Sequence, residues 1–278
     1  ERGLEHPAAL GRIWRVVPEN GDLRAIVDLE HADGESLAIA ISHPNGAVRD
    51  AAQRRLAEGG HVGSETVLRR TLLEADLERD RLRALWTLGI TGAATPEDLA
   101  AASTDPSPHV RRASLRVAED VLDDRGLHDL CISMSEDPSE MVRVQSVLSL
   151  GESDLDESLA QLPKALEKDS RMRAMRSAVL SSLGGREQRF LGLVEREDLL
   201  ADRTPAARSM LSDITDAILR SRDRALVSSM LAFGARRPED REWQLRTVLD
   251  RTGSTMRLNS RTPRKVRVAE PPTGWPEL

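Results

Sequence analysis

Asp105-Pro106-Ser107-Pro108-His109-Val110-Arg111 recurs as Asp137-Pro138-Ser139-Glu140-Met141-Val142-Arg143, and earlier as His43-Pro44-Asn45-Gly46-Ala47-Val48-Arg49. The three copies align without gaps. Proline forces the residue before it out of helical geometry and so ends one helix, and Asn45, Ser107 or Ser139 is then available to accept the free N–H groups that open the next. Pro108 stands where a first-turn proline is tolerated. Small or apolar residues follow Val48, Val110 and Val142 at steps of four: Ala52 and Leu56, Ser114 and Ala118, Ser146 and Leu150. That spacing marks one buried helical face.

Working outward, Leu82-Arg83 with Trp86 and Ile90 fits the same template without its proline, and Met175-Arg176 with Val179 and Leu183 fits it again. The markers 48, 82, 110, 142 and 175 lie 34, 28, 32 and 33 residues apart. A period near that length is one helical hairpin per repeat. The partner helices are predicted near 35–42, 64–75, 96–103, 127–134 and 155–167. Thr95, Pro96 and Asp98 supply a capping residue, a first-turn proline and an acid at the positive end of the dipole.

These features predict an all-α chain, a right-handed α-α superhelix of about five hairpins with irregular ends. Residues 1–33 form an N-terminal segment, 34–184 the repeats, 185–251 further helices near 205–220, 224–233 and 238–251 that cap or extend them, and 252–278 a Pro- and Arg-rich tail or linker. Gly11 to Val17 alternates like a lone strand, a remnant of a preceding domain, since one strand is not stable alone. The chain opens without a basic-then-apolar leader, so it reads as a mature product or an excised piece.

Composition agrees. The 278 residues are 39% hydrophobic and 2% aromatic, with no tyrosine, which argues against the aromatic, β-branched strands of sandwiches and barrels and against a membrane span. Forty basic against 46 acidic residues give a net charge of −6, so the chain as a whole is not drawn to nucleic acid. The single cysteine, Cys131, excludes an internal disulfide and a Cys-based zinc site. The six histidines show neither H-E-x-x-H nor paired i, i+4 spacing, and no phosphate-binding glycine motif is present. The sequence therefore predicts no catalytic residue, cofactor, metal or small-molecule ligand. Its site residues are structural: a polar ladder of Arg49, Asp105, Arg111, Asp137 and Arg143, and a repeat core of Val48, Ala52, Leu56, Leu82, Trp86, Val110, Val142 and Leu150.

The hairpin with D-P-x-x-x-V-R resembles HEAT repeats of the short variety over residues 34–184, and that resemblance implies that the aspartates and arginines bridge successive units. A closer resemblance is to the central part of large secreted planctomycete-type bacterial proteins that join a sorbosone-dehydrogenase-like propeller, HEAT repeats and a cytochrome c module. It is carried by Gly11-Arg12-Ile13-Trp14-Arg15-Val16-Val17-Pro18, by Ser42 to Gly46 with Arg49, Asp50, Ala52, Gln53 and Arg54, and by Arg83-Ala84-Leu85-Trp86-Thr87-Leu88. Ala47 departs from it where an aromatic is expected, and no C-x-x-C-H exists in the chain.

The function expected is a non-catalytic scaffold for protein–protein or interdomain association. The closer resemblance implies instead a spacer in a haem-containing dehydrogenase-like protein, in the periplasm or secreted. A nucleic-acid-binding solenoid is the third reading, with Arg69, Arg70, Arg79, Arg81, Arg83, Arg111 and Arg112 as its basic stripe and the arginine-rich end from Arg251 to Arg267 as a further basic segment.

Overall fold

The computed structural model describes residues 27–59, 62–169 and 172–258. Gly11 to Pro18, His6, His61 and the segment after Leu258 lie outside the described residues. Within them the chain is all-α, with fourteen helices.

The helices alternate between two layers. The first holds α1 (Gly34–Ala40), α3 (Ser64–Glu74), α5 (Pro96–Ser103), α7 (Asp124–Met134), α9 (Asp156–Lys168), α11 (Glu187–Arg196) and α13 (Arg224–Ala235). The second holds α2 (Gly46–Glu58), α4 (Glu78–Ile90), α6 (Pro108–Val121), α8 (Glu140–Leu150), α10 (Arg173–Ser182), α12 (Pro205–Ser221) and α14 (Glu242–Leu258). Each second-layer helix packs on its neighbours in that layer, from α2 on α4 through to α12 on α14. In the first layer α1 meets α3, α3 meets α5, α9 meets α11 and α11 meets α13. The result is an α-solenoid in which apolar surface is buried mainly between neighbouring repeats.

α6 shows how sequence produces a repeat. Ser107 accepts a hydrogen bond from the His109 N–H, Pro108 starts the first turn, and Val110, Ala113, Ser114, Leu115, Val117 and Ala118 are buried. Leu122 then turns to extended backbone, and Asp123 caps α7 by accepting from the Gly126 N–H. At Thr95 the capping box forms in both directions, with Asp98 as its reciprocal acid. Ser139 departs from the expected capping role, because no side-chain cap forms there. Its own N–H donates to Asp137 Oδ1 at 2.8 Å.

Four readings are corrected. The Leu82-Arg83 register predicts Trp86 and Ile90 in the core, yet α4 buries Asp80, Ala84, Leu85, Thr87 and Leu88 and leaves Trp86 36% and Ile90 52% exposed, with Leu82 half-buried. The repeat register of α4 is Asp80-Arg81, two residues earlier, and the apolar position of the template holds an aspartate that pairs with Arg79 at 2.8 Å. Val48 is likewise half-buried, whereas Val110 and Val142 are fully enclosed. α11 has no predicted counterpart. Its Phe190, Leu191, Leu193 and Val194 are all buried, an apolar face hidden in the sequence by the charges around it and by Gly192. Finally, α14 runs through Leu258, past the expected start of the tail at 252, although Thr252, Gly253, Ser254 and Thr255 are weak helix formers. Packing against α12 and α13 outweighs that propensity.

If the core is shared between neighbours, Leu115→Ala, at a site with no exposure, should cost about 3 kcal/mol through lost burial and a residual cavity. Ile90→Ala should change stability by no more than about 0.5 kcal/mol, as a surface substitution. Denaturant unfolding of both variants tests this, and equal losses would contradict the register given for α4.

Candidate functional site

The polar residues of the repeated turns form one continuous arrangement. In the third hairpin the Arg111 Nη1 donates to the carbonyls of Asp105 and Pro106, tying the helix to the turn that precedes it, at 2.8 and 3.1 Å. Its Nε and Nη2 reach into the next turn and grip Asp137 in a two-pronged contact at 2.7 and 2.9 Å. Arg143 repeats this, with Nη1 on the Asp137 and Pro138 carbonyls and its fork on Asp169 at 2.7 and 2.9 Å. Arg81 does the same one repeat earlier, on the Ala75 and Asp76 carbonyls and on Asp105 at 2.7 and 3.0 Å. Two of the aspartates are also held from their own side: Asp105 accepts the Ser107 N–H and Asp137 accepts the Ser139 N–H. The pairs are mostly shielded from water and bidentate, the geometry in which arginine–carboxylate contacts are strongest. The Arg111 guanidinium holds the Asp137 carboxyl below its ordinary range, and Arg143 does so for Asp169.

Arg49 is different. Its Nη1 binds the carbonyls of His43 and Pro44 as in the other copies, but its Nε is buried and has no partner. The turn that should supply an acid has Ala75 at the aspartate position, identified by the Arg81 contact to the Ala75 carbonyl. His43, at the aspartate position of the first turn, accepts the Asn45 N–H through Nδ1 at 3.0 Å, so it keeps the turn without the charge.

A second set of contacts joins the second-layer helices. Arg83 donates to Gln53 at 2.7 Å and pairs with Asp50 at 3.0 Å, while Gln53 donates to Thr87. Further along, Ser149 donates to Glu119 at 2.6 Å. Burial pushes the Glu119 carboxyl up, against the effect of that hydroxyl and of Arg116. Gly89 permits the close approach of α4 to α6, because a Cβ there would lie 3.0 Å from Val117.

The solvent face of this layer carries Arg54, Leu82, Trp86, Ile90, Arg112 and Arg116, followed by the half-buried Met141, Val144 and Leu148. Of the seven arginines of the basic-stripe reading, Arg69, Arg79, Arg81, Arg83 and Arg111 are engaged with Asp98, Asp80, Asp105, Asp50 and Asp137. Arg251, from the basic end, pairs with Asp216. Cys131 is enclosed, and burial, then the nearby Glu119, pushes its thiol up to about 12, so it is not a nucleophile at neutral pH. His128 is buried with Nδ1 2.9 Å from the Ser158 hydroxyl. Among the described residues no cluster of histidine, cysteine or acid side chains is arranged to hold a metal ion, and no helix is long and apolar enough to cross a membrane.

These repeated hairpins define a HEAT-like α-solenoid. A family model described as HEAT repeats matches residues 95–184, the stretch in which the arginine–aspartate pairs are most regular. No curated protein matches the chain. Among solved structures, the crystal structure of an engineered protein is similar at 14% identity and a TM-score of 0.32, covering 80% of this chain and 97% of that one, a likeness too loose to bear on function.

Two substitutions probe the turns. Arg111→Ala leaves Asp137 without its counter-ion in a shielded place and should cost about 2 kcal/mol at neutral pH, below the range for fully enclosed pairs because the guanidinium edge meets solvent. The Asp137 carboxyl is depressed in the folded state, so its stabilisation is present above the ordinary value of 3.8 and lost as pH falls through the folded value. The gap between wild type and variant should therefore narrow in acid, and a gap independent of pH would contradict the assignment. In the opposite direction, Ala75→Asp should give Arg49 the missing acid and stabilise by about 1 kcal/mol. That gain should vanish in an Arg49→Ala background, which a double-mutant cycle measures.

Proposed function

We propose that the chain is a non-catalytic HEAT-like scaffold and that its arginine–aspartate contacts are structural, leaving the solvent face of the second helix layer to bind a protein partner or an adjoining domain. HEAT repeats generally mediate protein association. The observation that carries the reading is the exposed indole of Trp86 beside Ile90 on α4, flanked at the corresponding helical positions by Arg54 on α2 and Arg116 on α6. A large ring partly open to water, beside an apolar neighbour and Arg54, which has no ion pair among the described residues, has the composition of an interface anchor. The partner favoured is a protein segment offering apolar side chains with acidic neighbours.

A finer reading makes this scaffold the spacer between a dehydrogenase-like propeller and a haem module. It is supported by the segments that resemble the planctomycete-type proteins, since Asp50, Gln53 and Arg83 from two of them share one hydrogen-bonded network across α2 and α4. Coding sequence for a propeller before Glu1 and a C-x-x-C-H motif after Leu278 would support it; stop and start signals there would remove it.

The scaffold reading is tested by affinity capture from an extract of the source organism with the full chain and with Trp86→Ala/Ile90→Asp. The captured proteins should fall by about tenfold or more, the loss typical of a truncated interface anchor. An unchanged set would place the binding surface elsewhere.

A further inference from the structure

The turn motif has one more copy, and it is built differently. Asp202-Arg203-Thr204-Pro205-Ala206-Ala207-Arg208 aligns with Asp105 to Arg111: Thr204 caps α12 as Ser107 caps α6, Pro205 occupies the first turn, and Ala207 is buried where Val110 is. Ala207 follows Met175 by 32 residues, so it continues the period. In the copies at Arg81, Arg111 and Arg143 the conserved arginine binds two carbonyls behind it and an aspartate ahead. Here none of that is made. The Thr204 N–H donates to the Asp202 carbonyl at 2.8 Å instead of to its carboxylate. Asp202 points its charge elsewhere, and Arg176, the rung arginine of α10, takes Asp213 on α12 in its place, at 3.1 and 2.7 Å.

The consequence is an open cleft of about 540 Å³ between α10, α12 and α14, walled by Arg176, Arg203, Arg208 and Arg251 together with Ser212 and Asp213. Asp213 offsets Arg176, and Asp216 offsets Arg251. Arg203 and Arg208 are exposed at the rim with no hydrogen bond or ion pair among the described residues. Two guanidiniums without an ion pair thus stand on a concave surface of small-ligand size, with the acids Glu242 and Asp250 lining an adjoining depression beside them, whereas the turn arginines Arg81, Arg111 and Arg143 are each paired with an aspartate.

We propose that this cleft binds the dianionic phosphoryl group of a small phosphate monoester, with Arg203 and Arg208 as its principal donors and the Ser212 hydroxyl within the same wall. Guanidinium forks suit phosphate oxygens, which accept two parallel N–H bonds from each. Two unmatched charges favour a dianion over a carboxylate. The cleft departs from the sequence-based expectation of no small-molecule ligand, and it is independent of the association surface on α4.

The full chain is titrated by calorimetry at low ionic strength with inorganic phosphate, phenyl phosphate, acetate, a phosphoserine hexapeptide and a single-stranded oligonucleotide. Phosphate and phenyl phosphate should bind saturably at one site, and acetate should not. Arg203→Ala and Arg208→Ala should each weaken phosphate binding by about tenfold, the cost of deleting a hydrogen bond to a charged group. Neither should lower the thermal midpoint, since neither side chain has a hydrogen-bond or ion-pair partner among the described residues. Absence of saturable phosphate binding, or equal binding by the variants, overturns the site. Tighter binding of the peptide or the oligonucleotide than of phenyl phosphate overturns its assignment to a small ligand.

Discussion

The regular part of the solenoid depends on one side chain being in two places: an arginine at the start of α4, α6 and α8 that caps the carbonyls of its own turn with one nitrogen and clamps the aspartate of the next turn with two others. Chain reversals leave carbonyls without partners, and a turn enclosed between repeats cannot give them all to water. The guanidinium satisfies them, and its planar fork fixes how far the following repeat is displaced. Arg81, Arg111 and Arg143 do this with nearly the same distances. A lysine could not, because its three donors sit on one nitrogen and cannot reach the carbonyls behind and both carboxylate oxygens ahead as three separate nitrogens do.

The ends of the array relax this constraint in different ways. At Arg49 the acid is missing because Ala75 stands in its position, and a buried Nε is left unpaired. At Arg176 the acid of the next turn is present in the sequence as Asp202, but the turn before α12 withholds it, and Arg176 takes Asp213 instead. That connection follows two residues, Asp198 and Leu200, held at positive φ, a conformation that is costly without glycine and persists only where the surroundings impose it. Leu200 is buried there, and its carbonyl accepts from the Gln244 side chain at 2.8 Å. At this altered entry into α12, Arg203 and Arg208 stand without an ion pair among the described residues at the rim of the cleft between α10, α12 and α14, while Arg176 and Arg251 in its wall are paired.

The proposed association surface and the proposed ligand cleft thereby lie in different parts of one layer. The apolar face of α4 lies where the arginines are neutralised, so an exposed tryptophan there is not explained by the turns beneath it. The basic cleft lies where neutralisation stops. Cys131 and His128, the two side chains whose chemistry would attract attention in isolation, are packed in the core and engaged with nothing reactive.

The repeated D-P-x-x-x-V-R spacing determined the helical class, the hairpin period and the turn chemistry, because proline, a capping residue and a fixed step of four act through local backbone geometry. The sequence also contained the arginines and aspartates of the pairs, though not which acid each arginine would meet. Only the tertiary structure decided the face of α4. Two arginines, Arg81 and Arg83, lie two residues and so roughly 200° apart on a helix, and the apolar Leu82 made the later register look better. Neighbouring helices overruled it by burying Ala84 and Leu88 and accepting a paired Asp80. The copy at Asp202 was hidden for the opposite reason: its letters match the motif only in part, with Arg203 in place of the turn proline and Ala207 in place of valine, and what sets it apart is contacts that were not made, which no local pattern records.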